Sequence, residues 1–223
     1  MAARDMFLYW VSGSAPCWRA MIVLEEKGLA GYGNKLISIT KKEQKSEEVI
    51  KINPRGQVPT FKHGDIILNE SKGICHYLEN QFKKQGTQLI PDDATKQALV
   101  LQRMYESENI FDKSIKAIMV YYFTTEKEDI DEEYLKKKRE ELAKELEIWE
   151  KYLEGNFIAG PDFTMADIYV FTYLAVLVRG SLTLDARPNI KKYYESLCKR
   201  PSIQASWPPH YKESPPTQIF AGV

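Results

Sequence analysis

The residues best suited to chemistry lie in one stretch, residues 53–71, which reads NPRGQVPTFKHGDIILNES. Val58 and Pro59 open a strand-like run there, and a proline cannot donate a hydrogen bond to a sheet. We expect a turn with a cis peptide bond that leaves the backbone groups of Val58 unpaired. Glu70 and Ser71 stand before a helical pattern and read as its N-terminal cap. A free backbone edge beside a polar helix start predicts a site for a peptide-like ligand.

The elements that must position this stretch alternate between strand and helix over residues 1–84. In chain order they are a strand at 6–11, a helix between Pro16 and Gly28, a strand at 36–39, a short helix at 46–50, a strand after Pro59, a strand at 66–68 and a helix at 72–82. The apolar runs indicate strands, whereas Pro and Gly bracket the helices. This βαβ–ββα order predicts a compact unit with one mixed four-stranded sheet.

Strand signals end after this unit. Residues 85–93 are polar and contain Gly and Pro, which predicts a linker, and residues 94–223 read as an all-α domain. Helical patterns cover residues 94–122, 134–153, 168–178 and 189–199. Thr164 and Asp167 form a capping box ahead of the third pattern, which is apolar nearly all round and therefore belongs at the core of its domain. We expect the proline-rich tail with Trp207 to lie across the surface.

Composition excludes several classes of protein. Lysine plus arginine balances aspartate plus glutamate at 31 each, so no net charge favours nucleic acid or an anionic membrane. No apolar run approaches the ~20 residues of a membrane span, and the N-terminus lacks a signal-peptide pattern. The cysteines and histidines, which are Cys17, Cys75, Cys198, His63, His76 and His210, have neither disulfide-framework nor metal-site spacing. We expect a cytoplasmic protein with no bound metal.

Four motifs in chain order resemble the cytosolic glutathione transferases. Residues 53–59 resemble the family's NPxGxVP turn with its cis-proline, and Glu70-Ser71 resembles the pair that holds the γ-glutamyl end of glutathione. Residues 163–167 resemble the buried capping box of the helical domain, and residues 188–201 resemble the closing helix. The resemblance implies a thioredoxin-like N-terminal domain, an all-α domain and a homodimer. It also implies conjugation of glutathione, as co-substrate without a further cofactor, to electrophilic apolar compounds in detoxification.

The motif at residues 14–19, SAPCWR, resembles the serine-type enzymes, in which a serine after the first strand faces the sulfur. Residues 201–209 look most like the rho class, which is described from fishes and other aquatic animals. A hydroxyl at a helix N-terminus favours a thiolate, so Ser14 is the expected donor. A plain turn or cap serine is the alternative, and Ser12 is the nearest rival hydroxyl. Tyr9 lies within the strand run and reads as core.

The cysteines read as packed side chains. Cysteine-type relatives carry their cysteine before a proline, whereas Cys17 follows Pro16 here and Ala15 holds the expected place. This order disfavours thiol–disulfide exchange. Cys75 and Cys198 lie on helix faces that we expect to point inward.

The resemblance implies a glutathione-contacting set of Lys42, Gln57, Val58, Pro59, Glu70 and Ser71. The backbone of Val58 would pair with the cysteinyl residue as an added strand. Glu70 would accept from the γ-glutamyl ammonium, and Ser71 would bind the adjacent carboxylate at a helix N-terminus. Lys42 and Gln57 match positions near the glycyl end. Plain helix capping remains the alternative for Glu70 and Ser71.

The electrophile is expected against the first long helix of the all-α domain. An apolar wall there would comprise Met104, Tyr105, Glu108, Phe111 and Tyr122. The same spacing is also typical of a helix core. A non-catalytic binding or structural protein on the same fold is the alternative function, since fold alone does not decide activity. The presence of Ser14, Val58 and Glu70 together favours an intact glutathione site and an enzyme.

Overall fold

The computed structural model describes residues 3–223, which divide into two compact units. The first unit comprises the chain up to Leu89 together with Arg200–Glu213, and the second comprises Ile90–Lys199 and Ser214–Val223. We refer to Arg200–Glu213 as the return segment, because the chain comes back to its first unit there. The sequence predicts this segment as part of the all-α domain, whereas in the structure it belongs to the first unit. Among the described residues, no helix is both long and apolar enough to cross a membrane.

A four-stranded mixed sheet in the order β2–β1–β3–β4 forms the centre of the first unit. Its elements are β1 (Met6–Trp10), α1 (Ala15–Glu26), β2 (Gly33–Leu36), α2 (Glu47–Ile52), β3 (Thr60–His63), β4 (Ile66–Leu68) and α3 (Ser71–Gln81). Strand β2 runs parallel to β1, whereas β3 is antiparallel to both β1 and β4. The predicted βαβ–ββα order and mixed sheet are therefore confirmed.

The predicted position of the second strand is wrong by three residues. Strand β2 is the polar sequence Gly33–Leu36, whereas the apolar residues 36–39 were expected to form it. Backbone pairing to β1 ends where the Ile37 N–H donates to the Trp10 carbonyl at 2.7 Å. Ile37 is buried, but Ile39 is exposed. An edge strand has little apolar surface to bury, so hydrophobicity does not reveal its place.

Helices α1 and α3 pack against each other. Between them lies a buried ion pair, in which Lys27 Nζ is 2.6 Å from Glu79 Oε2. Lys27 Nζ also donates to the Thr87 carbonyl at 2.7 Å, and Glu79 Oε1 accepts from the Leu89 N–H at 3.1 Å. Charges can be buried only when such partners compensate for lost hydration. The pair thus ties the end of the first unit to its helices.

The return segment packs against α1. It contains the short helices α10 (Pro201–Ala205) and α11 (His210–Glu213). Arg200 forms a fork on Glu26, with Nε and Nη2 at 2.6 and 2.7 Å from the two carboxylate oxygens. The Trp18 indole N–H donates to Ser206 Oγ at 3.0 Å, and its ring lies 5.2 Å from that of Trp207. Trp207 is half-buried and residues 212–218 are exposed, which agrees with the expectation of a tail that lies across the surface.

The second unit is helical. Its elements are α4 (Ala94–Glu106), α5 (Glu108–Phe111), a π-helical segment (Asp112–Val120), α6 (Tyr121–Thr124), α7 (Glu132–Tyr152), α8 (Met165–Arg179) and α9 (Pro188–Cys198). The predicted single helix over residues 94–122 is interrupted at Ser107, whose hydroxyl donates to the Met104 carbonyl at 2.6 Å. Such a local bond competes with the helical ladder and marks the break.

Helix α8 is the core of the second unit, and its N-terminus is buried as predicted. The Asp167 carboxylate accepts from the backbone N–H groups of Ile158 at 2.9 Å and Thr164 at 2.7 Å. It also accepts from the Tyr193 hydroxyl at 3.1 Å. Burial raises the pKa of Asp167 to about 6, although these donors act in the opposite direction. The predicted capping box is confirmed.

Candidate active site

Ser14 is the N-cap residue of α1. Its backbone is extended, its carbonyl accepts from the Trp18 N–H at 2.9 Å, and its Oγ accepts from the Cys17 N–H at 3.4 Å. The side chain is half-buried. Because the oxygen is the acceptor in the cap bond, that bond does not use the hydroxyl proton. Ser14 can therefore offer an O–H donor at the positive end of a twelve-residue helix, where a negative charge is favoured.

Ser12 and Tyr9, the other hydroxyl groups near this turn, have partners. Ser12 Oγ lies 2.6 Å from His210 Nδ1 in the return segment. Tyr9 is buried in β1, as predicted, and its hydroxyl donates to Glu48 Oε1 at 2.8 Å. Burial and the neighbouring carboxylate raise the pKa of Tyr9 to about 12.

Cys17 is fully buried, and its Sγ accepts from the Val11 N–H at 3.5 Å. Burial raises the pKa of the Cys17 thiol to about 11, although Ser14 and Val11 act to lower it. A protonated, enclosed thiol is a poor nucleophile. The prediction of a packed Cys17 is confirmed, as is that of a buried Cys75. Cys198 is only half-buried, so its assignment to the core is wrong; it lies at the end of α9, where less of the helix is covered.

The turn before β3 has the predicted cis bond between Val58 and Pro59. Asn53 holds this turn: its Nδ2 donates to the Gln57 carbonyl at 2.8 Å and to Thr60 Oγ1 at 3.1 Å. Within residues 3–223, no hydrogen bond to the N–H or C=O of Val58 is formed. The backbone of Val58 is thus available to pair with an extended ligand.

Helix α3 begins at Ser71, one residue earlier than predicted, with Glu70 at its N-cap position. The Glu70 carbonyl accepts from the Ile74 N–H at 2.9 Å, but its side chain makes no capping bond and is exposed. Glu70 therefore occupies the N-cap position without capping the helix through its side chain. The carboxylate and the first N–H groups of the helix remain available to a zwitterionic ligand.

Sheet register places these groups at one end of the sheet. Tyr9 of β1 lies opposite Thr60 of β3, and Phe61 of β3 lies opposite Leu68 of β4. The end of β1, the start of β3 and the end of β4 therefore coincide. Three groups lie in turns that directly follow or precede that end: the Ser14 hydroxyl, the Val58 backbone and the helix start at Glu70–Ser71.

Lys42 and Gln57 are exposed. Lys42 has a left-handed backbone (φ 56°), and its N–H donates to the Ile39 carbonyl at 2.9 Å. The Gln57 carbonyl is occupied within the turn, as described above, whereas its side chain points to solvent. Both side chains are accessible to a ligand carboxylate.

Three of the residues expected to contact the electrophile differ in exposure. Met104 of α4 is buried in the second unit, with 3% of its surface exposed. Tyr105 is 64% exposed and Tyr122 is 39% exposed. Of these three, only the two tyrosines present substantial surface.

Glu108 and Phe111 of α5 both contact Tyr173 of α8. Glu108 Oε1 accepts from the Tyr173 hydroxyl at 3.0 Å, and the Phe111 ring lies 5.7 Å from the Tyr173 ring. Both side chains remain half-buried. The π-helical segment that follows was not predicted; segments of this kind are frequent at functional sites.

His210 also lies near this site, and the sequence does not predict its place there. Its contact with Ser12 joins residues 198 positions apart, and such a contact leaves no local pattern. Among residues 3–223, no group of three or more histidine, cysteine, aspartate or glutamate side chains has the geometry of a metal site.

Family models match most of the chain. The model described as "Glutathione S-transferase, N-terminal domain" matches residues 8–86, and the model described as "Glutathione S-transferase, C-terminal domain" matches residues 110–201. Together they span more than half of the sequence, so the chain belongs to the glutathione S-transferase family.

Relatives and solved structures agree with this assignment. The chain is 50% identical over 219 residues to glutathione S-transferase A of Pleuronectes platessa, with 97% of each chain covered. The crystal structure of a glutathione S-transferase from the Antarctic clam Laternula elliptica matches with a TM-score of 0.88 at 44% identity, covering 97% of this chain and 99% of that one. A delta-class glutathione transferase of Nilaparvata lugens matches with a TM-score of 0.81 at 28% identity, covering 93% and 95%.

Proposed function

We propose that this enzyme conjugates glutathione to electrophilic apolar compounds with Ser14 as the hydroxyl that stabilises the glutathione thiolate. The observation that carries the proposal is the N-cap position of Ser14, whose oxygen accepts from the Cys17 N–H. A free thiol has a pKa near 8.5, so only a few per cent is ionised at neutral pH. A hydroxyl donor and a helix N-terminus both favour the charged form.

The groups at this end of the sheet support a mode of glutathione binding. The N–H and C=O of Val58 pair with the cysteinyl residue, and Pro59 keeps the turn that presents them. Glu70 accepts from the γ-glutamyl ammonium, while Ser71 and the N-terminus of α3 bind the adjacent carboxylate. Lys42 and Gln57 are proposed for the glycyl carboxylate, which is supported by their exposure. Glutathione is a co-substrate, and no further cofactor is proposed.

The reaction forms a sulfur–carbon bond. The thiol proton passes to solvent, the thiolate donates its electron pair to the electrophilic carbon, and a leaving group departs with the electrons of its bond. In conjugate addition a proton from water is taken up at the adjacent carbon instead. The protein contributes the ionised thiol and the proximity of two bound reactants.

The electrophile is proposed to bind beside the helical second unit. Tyr105, Glu108, Phe111 and Tyr122 retain accessible surface that suits an apolar ligand. Met104 is proposed to support this surface from beneath, because it is buried.

We also propose the class of glutathione transferase to which this enzyme belongs. The SAPCWR motif and residues 201–209 support a serine-type enzyme of the rho class. Membership of the family supports the further proposal that it acts in detoxification as a cytoplasmic homodimer. Cys17, Cys75 and Cys198 are free cysteines, which is compatible with the proposed reducing compartment. Gel filtration that yields a monomer mass contradicts the dimer.

The test compares Ser14→Ala with Ser14→Thr, which keeps the hydroxyl. A hydrogen bond to a charged group contributes ~1.5–3 kcal/mol, so Ser14→Ala should raise the pKa of the bound glutathione thiol by about 1–2. Conjugation of a chloronitrobenzene should slow by roughly 10- to 100-fold, and Ser14→Thr should retain most activity. Thiolate absorbance and steady-state kinetics measure both effects. An unchanged thiol pKa in Ser14→Ala refutes the role of Ser14. Glutathione binding without turnover of any electrophile in the wild type refutes the proposed catalytic function.

A further inference from the structure

The turn that carries Ser14 also contacts the return segment. In the sequence Ser12-Gly13-Ser14, Ser12 Oγ is hydrogen-bonded to His210 Nδ1 at 2.6 Å. The Ser14 N–H closes the same turn on the Val11 carbonyl at 3.3 Å. One histidine from a distant part of the chain thus bonds a residue two positions before the proposed thiolate donor.

The imidazole of His210 also packs directly on Gly13. A Cβ built on Gly13 would lie 2.3 Å from His210 Cε1 and 3.0 Å from Tyr211 Cε1. Gly13 has φ +78°, a backbone conformation that other L-residues rarely adopt. Glycine at this position therefore meets two requirements, the left-handed turn and the close approach of the histidine ring.

His210 is itself held by an aromatic cluster in the first unit. Its ring lies 4.7 Å from that of Tyr211, which is 6.0 Å from the Trp18 ring of α1. Trp18 in turn contacts Trp207 and Ser206, as described above. The ring therefore cannot shift without disturbing the packing of α1, the same helix whose N-terminus Ser14 caps.

We propose that His210 is a positioning residue: through Ser12 and Gly13 it holds the turn that aims the Ser14 hydroxyl at the glutathione sulfur. This inference rests on the proposed role of Ser14. The hydrogen bond of His210 is to Ser12 and not to Ser14 itself, so His210 acts by restricting the backbone between β1 and Ser14. Its removal lets the turn move, and the hydroxyl then spends less time in the geometry that stabilises the thiolate.

The experiment uses the full chain with the variants His210→Ala, His210→Asn, Ser12→Ala and Ser14→Ala. Asparagine can place a polar atom near the position of Nδ1, so it should restore what alanine loses. His63→Ala is the matched control: His63 also bonds a hydroxyl at 2.7 Å, that of Tyr77, but lies at the opposite end of β3. The readouts are the pKa of bound glutathione, kcat and KM separately, and the thermal midpoint.

We expect His210→Ala to raise the pKa of bound glutathione and to lower kcat about three- to tenfold, the factor for one lost hydrogen bond. KM for glutathione should change little, and His210→Asn should recover most of the loss. Ser12→Ala should produce a similar effect that does not add to that of His210→Ala.

Two results overturn the inference while the proposed role of Ser14 stands. In the first, His210→Ala leaves the thiol pKa and kcat at wild-type values while Ser14→Ala changes both. In the second, the loss matches that of His63→Ala and follows only the thermal midpoint, which indicates general destabilisation. If Ser14→Ala itself leaves the thiol pKa unchanged, the proposed function of Ser14 fails, and the role of His210 fails with it.

Discussion

Replacing Asp167 with alanine should destabilise the protein far more than replacing an exposed helix cap. Its carboxylate is fully buried and is the acceptor for the backbone N–H groups of Ile158 and Thr164. A buried donor left without a partner costs ~1–3 kcal/mol, so two of them cost about 2–6 kcal/mol. Water cannot replace the carboxylate without opening the core around α8. The free energy of unfolding should therefore fall by roughly that amount.

Asp131→Ala is the matched control in the same unit. Asp131 caps α7 by accepting from the Tyr134 N–H at 2.9 Å, but it is exposed, so water can take its place. Loss of such a cap costs typically ~1 kcal/mol. The free energy of unfolding of Asp167→Asn should lie between those of the wild type and Asp167→Ala, because the amide oxygen of asparagine can still accept from the N–H of Ile158 or Thr164.

The assay is urea unfolding followed by far-UV circular dichroism, with the loss calculated from the midpoint at an unchanged slope. Equal midpoints for Asp167→Ala and Asp131→Ala refute the reasoning, because they show that burial does not determine the cost of the missing acceptor. A changed slope indicates an altered unfolded state or an intermediate, and native-state hydrogen exchange at Ile158 and Thr164 then measures the loss locally.

Two further variants test the first unit. Burial would raise the pKa of Glu26, but hydrogen bonds from Arg200, Ser202 and Thr87 outweigh it and hold that pKa below its ordinary value. The free energy of unfolding of the wild type should therefore exceed that of Glu26→Gln by on the order of 2 kcal/mol at pH 7. This difference should be fully present above about pH 4, the ordinary pKa of a glutamate, and should shrink as the pH falls from there through the lower pKa of the folded carboxyl, because the unfolded chain takes up its proton first. A difference in urea midpoints that is constant down to pH 3 contradicts this. Lys27→Met leaves the Glu79 carboxylate without the ammonium facing it at 2.6 Å and should cost about 3–5 kcal/mol. Adding Glu79→Gln should restore more than half of that stability, and a further loss in the double variant argues against the ion pair.

The fold was predictable where burial controls local sequence. Helix α8 shows this, because its apolar faces and its capping box both follow from residues within one short stretch. The position of strand β2 was not predictable, because backbone pairing to β1, rather than the side chains of β2, determines where a polar edge strand lies. The interruption at Ser107 was also hidden, since a serine that bonds to a nearby carbonyl has the same spacing as one that faces solvent.

The residues of the candidate site differ in the same way: some were predictable from local sequence, and others were not. Val58, Pro59 and Glu70 were predictable because a turn and a helix start have local signatures. Their arrival at one end of the sheet follows from strand order, which the βαβ–ββα pattern also predicts. The contact of Ser12 with His210 was not predictable, because nothing near either residue indicates the other.

The return segment has a consequence for the synthesis of the chain. Between Leu89 and Arg200 the ribosome must add Ile90–Lys199, an interval of roughly 5–20 s at ordinary elongation rates. During that time Trp18 lacks its partners Ser206 and Trp207, so a nascent first unit exposes an aromatic surface. The turn bearing Ser14 consequently gains the contact of Ser12 with His210 only after Ile90–Lys199 has been translated, and a chain that stalls before residue 200 lacks this contact.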